Sequence, residues 1–265
     1  MKHQSARERL IVALDVPSAA EAQAVVDALG DSVGFYKVGM ELFFATHFSF
    51  IDALNEQKKR VFLDLKMDDI GTTLERALRV ISQKPVDFLE LATLDSVSSA
   101  VGMAKRGTLK KQLKLLMLTA LSSLDDEGIQ ELYGPNASVD QIVDHRAKKA
   151  LEAGCHGLIA SGSSVRRIRG QFGDEPLIVT PGIRPQGSSA NDHKRTLTPF
   201  EAIRDGANFL VVGRPIRDAD DPKGVAEYIV KEIERGQAER DRLMKSHRSH
   251  REDFNALLNV AVGGH

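Results

Sequence analysis

Tryptophan is absent and aromatics make up only 5% of the chain, so the core is expected to be packed mainly from aliphatic side chains. There is one cysteine, Cys155, which excludes an internal disulfide and reads as a small buried apolar residue. An excess of either charge is also missing. Lys and Arg number 36 against 37 Asp and Glu, and a net charge of −1 argues against a nucleic-acid partner recruited by gross basicity. No apolar run approaches a membrane span, and the run at 10–14 is too short for a signal-peptide core. A cytoplasmic protein with no membrane partner is therefore expected. No G-x-G-x-x-G follows the first apolar run and no G-x-S-x-G occurs. His145, His156, His247 and His250 lack metal-ligand spacing, so no metal is expected.

What is present is a rhythm. Short β-type runs fall at residues 10–14, 34–38, 61–65, 86–91, 113–119, 157–161, 177–180 and 209–212. Most are near-continuously apolar, as in parallel strands covered on both faces. Helix starts lie between them. Ser18 with Glu21, Thr72 with Glu75 and Thr198 with Glu201 fit capping boxes, the last with Pro199 at the first helical position. Asp221-Pro222 opens another helix. Eight alternations of strand and helix predict a single-domain α/β fold, a (β/α)8 TIM barrel over residues 8–236, followed by a helical C-terminal extension over 237–265. An open doubly wound sheet is the runner-up, weakened by the missing glycine motif.

Such barrels place their chemistry at the carboxyl ends of the strands. Those ends carry Asp15, then Lys37 and Gly39, then Asp64 and Lys66, then Ser122, Ser161, Arg184 and finally Gly213 and Arg214. The richest stretch is Val61-Phe62-Leu63-Asp64-Leu65-Lys66-Met67-Asp68-Asp69-Ile70. Strand alternation puts Asp64 and Lys66 on one face and Leu63, Leu65 and Met67 on the other. Carboxylates beside a lysine favour its charged form, which suits a proton donor and opposes a Schiff-base amine. Glycine followed by arginine after the last strand suits a phosphate, and the long segment 182–197 has the composition of a lid. Each of these residues alone is more simply a satisfied loop or surface group; it is their joint placement at one rim that argues for a site.

The chain resembles the orotidine 5′-monophosphate decarboxylase family over roughly residues 8–236. Asp64-Leu65-Lys66-Met67-Asp68-Asp69-Ile70 is similar to its D-x-K-x-x-D-I signature. Leu14-Asp15, Tyr36-Lys37-Val38-Gly39, Val179-Thr180-Pro181-Gly182-Ile183-Arg184-Pro185 and Val212-Gly213-Arg214 join it. The resemblance implies cofactor-free decarboxylation of orotidine monophosphate to uridine monophosphate, the last step of de novo UMP synthesis. It implies Lys66 as proton donor to C6, Asp64 beside the substrate carboxylate, and Asp15 and Lys37 on the ribose, with Lys37 extending the charge array. It further implies Ser122 on the pyrimidine edge, Arg184 among the substrate contacts, and Arg214 with the Gly213 backbone on the phosphate. Asp69 and Thr73 would enter the site of a partner in a homodimer.

Two departures stand out. The family's lid carries glutamine in an Asp-Gln-x-Arg context, where this chain reads Asp192-His193-Lys194-Arg195; Gln186 is favoured for the lid contact, with His193 as competitor. Gly71 replaces a common proline, a change expected to affect only the turn. Two alternatives remain. A magnesium-dependent sugar-phosphate decarboxylase or aldolase would carry glutamate on strand two, where this chain has Lys37, and a small residue in place of Ile70. A non-catalytic nucleotide-phosphate-binding barrel would not need the full Asp/Lys array.

Overall fold

Every one of the eight apolar runs becomes a strand, and each strand pairs in parallel with its sequence neighbours. In the computed structural model, which describes residues 4–92, 97–109, 112–186 and 196–262, with side chains as far as 246 in the last segment, the strands are β1 (Leu10–Ala13), β2 (Phe35–Gly39), β3 (Arg60–Met67), β4 (Phe88–Leu91), β5 (Lys114–Leu118), β6 (Gly157–Ile159), β7 (Leu177–Thr180) and β8 (Phe209–Val212). They close in the order β1 to β8, with β8 returning to β1 through Leu10 and Leu210. The helices are α1 (Ala19–Leu29), α2 (Met40–Thr46), α3 (Ser49–Glu56), α4 (Gly71–Ile81), α5 (Val97–Gly107), α6 (Asp126–Tyr133), α7 (Val139–Glu152), α8 (Ser164–Phe172), α9 (Pro199–Arg204), α10 (Arg214–Arg217) and α11 (Pro222–Val262). The fold is a (β/α)8 TIM barrel, as the alternation predicts.

Two packed layers follow from the strand period of two. Outward-facing Leu10, Tyr36, Leu63, Leu89 and Leu115 join the helices in a largely aliphatic shell. Inward-facing Phe35, Phe62, Phe88 and Phe209 fill the barrel bore. Aliphatic side chains dominate the shell, and in the bore they share the space with these rings. Four of the eleven phenylalanines are spent on the bore, where bulky rings fill the space that eight strands enclose. The Phe35–Phe88 and Phe88–Phe209 ring centroids lie 5.0 Å apart in edge-to-face contact.

Helix starts agree in part. Thr198 and Glu201 form the full reciprocal box with Pro199 behind them. Ser18 accepts from the Glu21 amide, and Asp221 accepts from the Gly224 amide. The box expected at Thr72 is not formed. Helix α4 begins earlier, at Gly71 after Ile70, so Thr72 lies inside the first turn and Glu75 instead pairs with Arg79 and Arg106. Nor is the effect of Gly71 confined to the turn: a Cβ there would lie 2.5 Å from Met103 Cγ, so the glycine admits α5 against α4. The boundary expected at residue 236 falls within the single helix α11, whose Ile229, Val230 and Ile233 are buried. Close approach of α11 to α9 requires Gly236, where a Cβ would sit 2.6 Å from the Phe200 carbonyl oxygen. Among the described residues no helix is long and apolar enough to cross a membrane.

Candidate active site

The inward positions that hold phenylalanine at the lower end of the barrel hold charge one step further along the same strands. On β2 Phe35 is followed by Lys37, on β3 Phe62 by Asp64 and Lys66, and on β4 Phe88 by Glu90. Asp15 arrives just past the end of β1. Asp15, Lys37, Asp64 and Lys66 form a chain of contacts. Lys37 Nζ donates to Asp15 Oδ1 at 2.8 Å and pairs with Asp64 Oδ2 at 3.0 Å. Lys66 Nζ donates to Asp64 Oδ1 at 2.7 Å. Each Asp64 oxygen thus serves one ammonium group.

Local structure makes this packing possible. Gly39 leaves room for the first link, since a Cβ there would lie 2.8 Å from Asp15 Oδ1 and 3.0 Å from Lys37 Nζ. Lys66 has φ +48°, a left-handed backbone that disfavours a side-chain-bearing residue by roughly 1–2 kcal/mol. The β3–β4 register also shifts between Leu63 and Met67. A strained residue beside a register shift, carrying the ammonium group, is the kind of local cost found at functional sites.

The charge states follow from burial set against partners. Burial alone would push Lys37 down, but Asp64 and Asp15 outweigh it and hold the ammonium form well above its ordinary range. Burial would raise Asp64, but a hydrogen bond from Glu90 and the charges of Lys37 and Lys66 hold it well below the usual carboxylate range. Burial would likewise lower Lys66, but neighbouring Glu90 and Asp64 raise it. Lys66 is therefore held in its ammonium form. Glu90 was not singled out from the sequence, where it is one acid in the apolar run Phe88-Leu89-Glu90-Leu91. It is 3% exposed, and its Oε2 lies 3.8 Å from Lys66 Nζ.

Around this array opens a cavity of about 510 Å³ at the carboxyl ends of the strands. Asp15, Lys37, Asp64 and Lys66 line it with Ser122, Arg184, Gly213 and Arg214, so eight of the residues anticipated from sequence converge there. Arg217 and Glu41, which were not anticipated, line it too. Arg217 donates to the Asp15 carbonyl oxygen and pairs with Asp218 at 2.6 Å. Arg184 follows Gly182, whose φ of +72° turns the chain after β7, and its amide donates to the Leu197 carbonyl oxygen at 2.9 Å. Gln186 is exposed and outside the cavity lining. His193 lies outside the described residues.

Asp69 and Thr73 do not join this cavity. They line a second one of about 290 Å³ with Met40, Phe43 and Phe44, and Lys66 lines both. The surface there is apolar, with Phe44 70% and Ile70 67% exposed. Among the described residues no three His, Cys, Asp or Glu side chains gather as a metal site.

A closed parallel barrel with a carboxylate–ammonium array and arginines at its carboxyl rim defines a (β/α)8-barrel enzyme. The particular family comes from comparison: the model of the "Orotidine 5'-phosphate decarboxylase / HUMPS family" matches residues 8–229, and the chain belongs to that family. It is 44% identical over 227 residues to the orotidine 5'-phosphate decarboxylase of Rhodopseudomonas palustris (strain HaA2), covering 86% of this chain and 95% of that one. It is 41% identical over 222 residues to that of Methylococcus capsulatus, covering 83% and 89%. The crystal structure of orotidine 5'-phosphate decarboxylase from Lactobacillus acidophilus superposes with a TM-score of 0.74 at 33% identity, over 85% of this chain and 99% of that one.

Proposed function

We propose that this chain decarboxylates orotidine 5′-monophosphate to uridine 5′-monophosphate and CO2, in pyrimidine biosynthesis and without a cofactor. The observation that carries the reading is the unbroken Asp15–Lys37–Asp64–Lys66 array, with contacts of 2.8, 3.0 and 2.7 Å, open to one cavity. Loss of CO2 from C6 leaves an electron pair in an sp² orbital with no π system to receive it. Stabilisation must be electrostatic and arranged in advance. Lys66, kept charged and held by Asp64, supplies that charge and delivers its proton to C6 as the C6–carboxylate bond breaks, the bonding pair passing to the new C6–H bond and CO2 departing.

The other roles are those that the family resemblance implies. Asp64 sits beside the departing carboxylate. Asp15 and Lys37 hold the ribose hydroxyls, and Ser122 the pyrimidine edge. Arg214 with the Gly213 backbone grips the phosphate, and Arg184 lies alongside. Gripping a phosphate remote from the reacting bond lets binding energy support alignment at C6. Gln186 is the lid contact, with His193 as competitor. Asp69 and Thr73 act in a second copy's site, because in their own chain they line the apolar surface around Phe44 and not the array. A homodimer through that surface buries exposed Phe44 and Ile70. The cytoplasm suits such an enzyme.

The magnesium-dependent alternative has no observation in its favour: the β2 position is an ammonium group locked between carboxylates. A single-turnover assay with orotidine 5′-monophosphate, with and without chelator, tests the reading. Uridine 5′-monophosphate formed equally in both is expected; no product, or product only with added metal, refutes it. For the dimer, mixing inactive Lys66→Ala with inactive Asp69→Ala is expected to regain activity through hybrid dimers. No regain would place Asp69 in its own chain's chemistry.

A further inference from the structure

Glu90 occupies the one place in the array that the roles above leave unused. It points inward from β4, next to β3, with its carboxyl group against that of Asp64. From β2 it faces Lys37, and from β3 Asp64 and Lys66. On its other side β5 sets Leu116 directly opposite it. An ionised carboxylate buried here would need donors, since it can only accept hydrogen bonds. Glu90 Oε1 is buried without a donor among the described groups, and Oε2 stands 3.8 Å from Lys66, beyond hydrogen-bond distance. Two ionised carboxylates cannot hydrogen-bond each other; one must keep a proton. Asp64 already takes an ammonium on each oxygen, so Asp64 carries the charge and Glu90 the proton.

We propose that Glu90 is a positioning residue, a neutral carboxylic acid that donates to Asp64 and so fixes the carboxylate that aims Lys66. The inference rests on the decarboxylase reading for its consequence in rate, and for its charge state on the unpartnered Glu90 Oε1 and the two ammonium groups already held by Asp64. Burial, then the Asp64 charge and the hydrogen bond, outweigh the two lysines and raise Glu90 well above the ordinary glutamate range, in agreement with the contacts. Asp64 then makes one bond to each of Lys37, Lys66 and Glu90. If Glu90 ionised, it would repel Asp64 and compete with it for Lys66. Glu90 touches no substrate atom in this scheme; it acts through Asp64.

Glu90→Gln keeps a donor and cannot ionise, whereas Glu90→Ala loses the donor. Glu90→Ala is expected to lower kcat by about tenfold or more with KM for the nucleotide little changed, and Glu90→Gln to recover kcat to within about threefold of the parent. The parent's kcat should fall on the alkaline side before the lysines titrate, and Glu90→Gln should lack that fall. Equal losses in both variants, an unimpaired Glu90→Ala, or an alkaline fall that persists in Glu90→Gln would each overturn the proposal. Should Glu90→Ala not fold, the pH profile of Glu90→Gln decides. An infrared measurement separates this inference from the function itself. At neutral pH the parent should show the carbonyl stretch of a protonated carboxyl that Glu90→Gln lacks, whether or not orotidine monophosphate is turned over. Absence of that band in the parent, or its persistence in the variant, would refute the charge state. A parent with the band but no turnover would refute only the decarboxylase reading.

Discussion

The two ends of the barrel bore are built from the same strands and do opposite things. At the lower end Phe35, Phe62, Phe88 and Phe209 interlock, closed by Arg60, whose guanidinium lies 4.1 Å from the Phe35 ring centroid and pairs with Asp87 at 3.0 Å. One step along, Lys37, Asp64 and Glu90 replace the rings. The rings satisfy themselves by area and shape. The charges of Lys37 and Asp64 are expensive to bury and are tolerated only because each is paired. The lower layer acts as a rigid floor, and on it rests an array that would be unaffordable in isolation.

Four substitutions would break or sharpen that contrast. Lys66→Ala should abolish turnover and leave the thermal midpoint near the parent value, since Asp64 keeps Lys37; activity within about tenfold of the parent would remove Lys66 from the chemistry. Phe88→Ala should do the reverse, costing about 3–5 kcal/mol in denaturant unfolding through a cavity among the rings. If the folded fraction also lost most of its kcat, floor and array would not be separable. Arg214→Ala should weaken phosphorylated ligands by about 1.5–3 kcal/mol, as for a charge-assisted contact, and nucleosides hardly at all. Titration calorimetry with a nucleotide and its nucleoside checks this, and equal losses would take Arg214 off the phosphate. Gly39→Ala should lower kcat/KM by about tenfold by wedging Asp15 from Lys37, with little loss of stability because Gly39 lacks a positive φ.

A smaller effect lies in stability against pH. Folded Glu90 holds its proton above the ordinary value of 4.5, while the unfolded chain releases it there. More protons are bound in the folded state, so this contribution is present at low pH and is lost as pH rises toward the folded value. The midpoint of Glu90→Gln relative to the parent should therefore climb from about pH 5 upward. A constant difference would mean that Glu90 is ionised when folded.

The strands were legible because parallel strands buried on both faces read as apolar runs, and β7 and β8 agree to the residue. Asp64 and Lys66 were legible because charge alternates within a strand; their shared face and that of Leu63, Leu65 and Met67 are as expected. Glu90 was not, because one acid in Phe-Leu-Glu-Leu looks like an ordinary solvent-facing position. Only barrel closure turns that position inward. The left-handed backbone at Lys66 and the slip of β3 against β4 leave no mark in residue types either. The missing cap at Thr72 shows the same limit, since side-chain chemistry permitted the box and the path of the chain out of Ile70 began the helix sooner.

With Glu90 neutral, the array holds two positive and two negative groups and has no net charge to offer a distant dianion. Long-range capture must then come from the arginines at the mouth, Arg184, Arg214 and Arg217. Physiological salt screens such attraction beyond about 8 Å. Rising ionic strength should thus slow arrival of the nucleotide while leaving the bond-breaking step, sheltered among its matched neighbours, almost untouched.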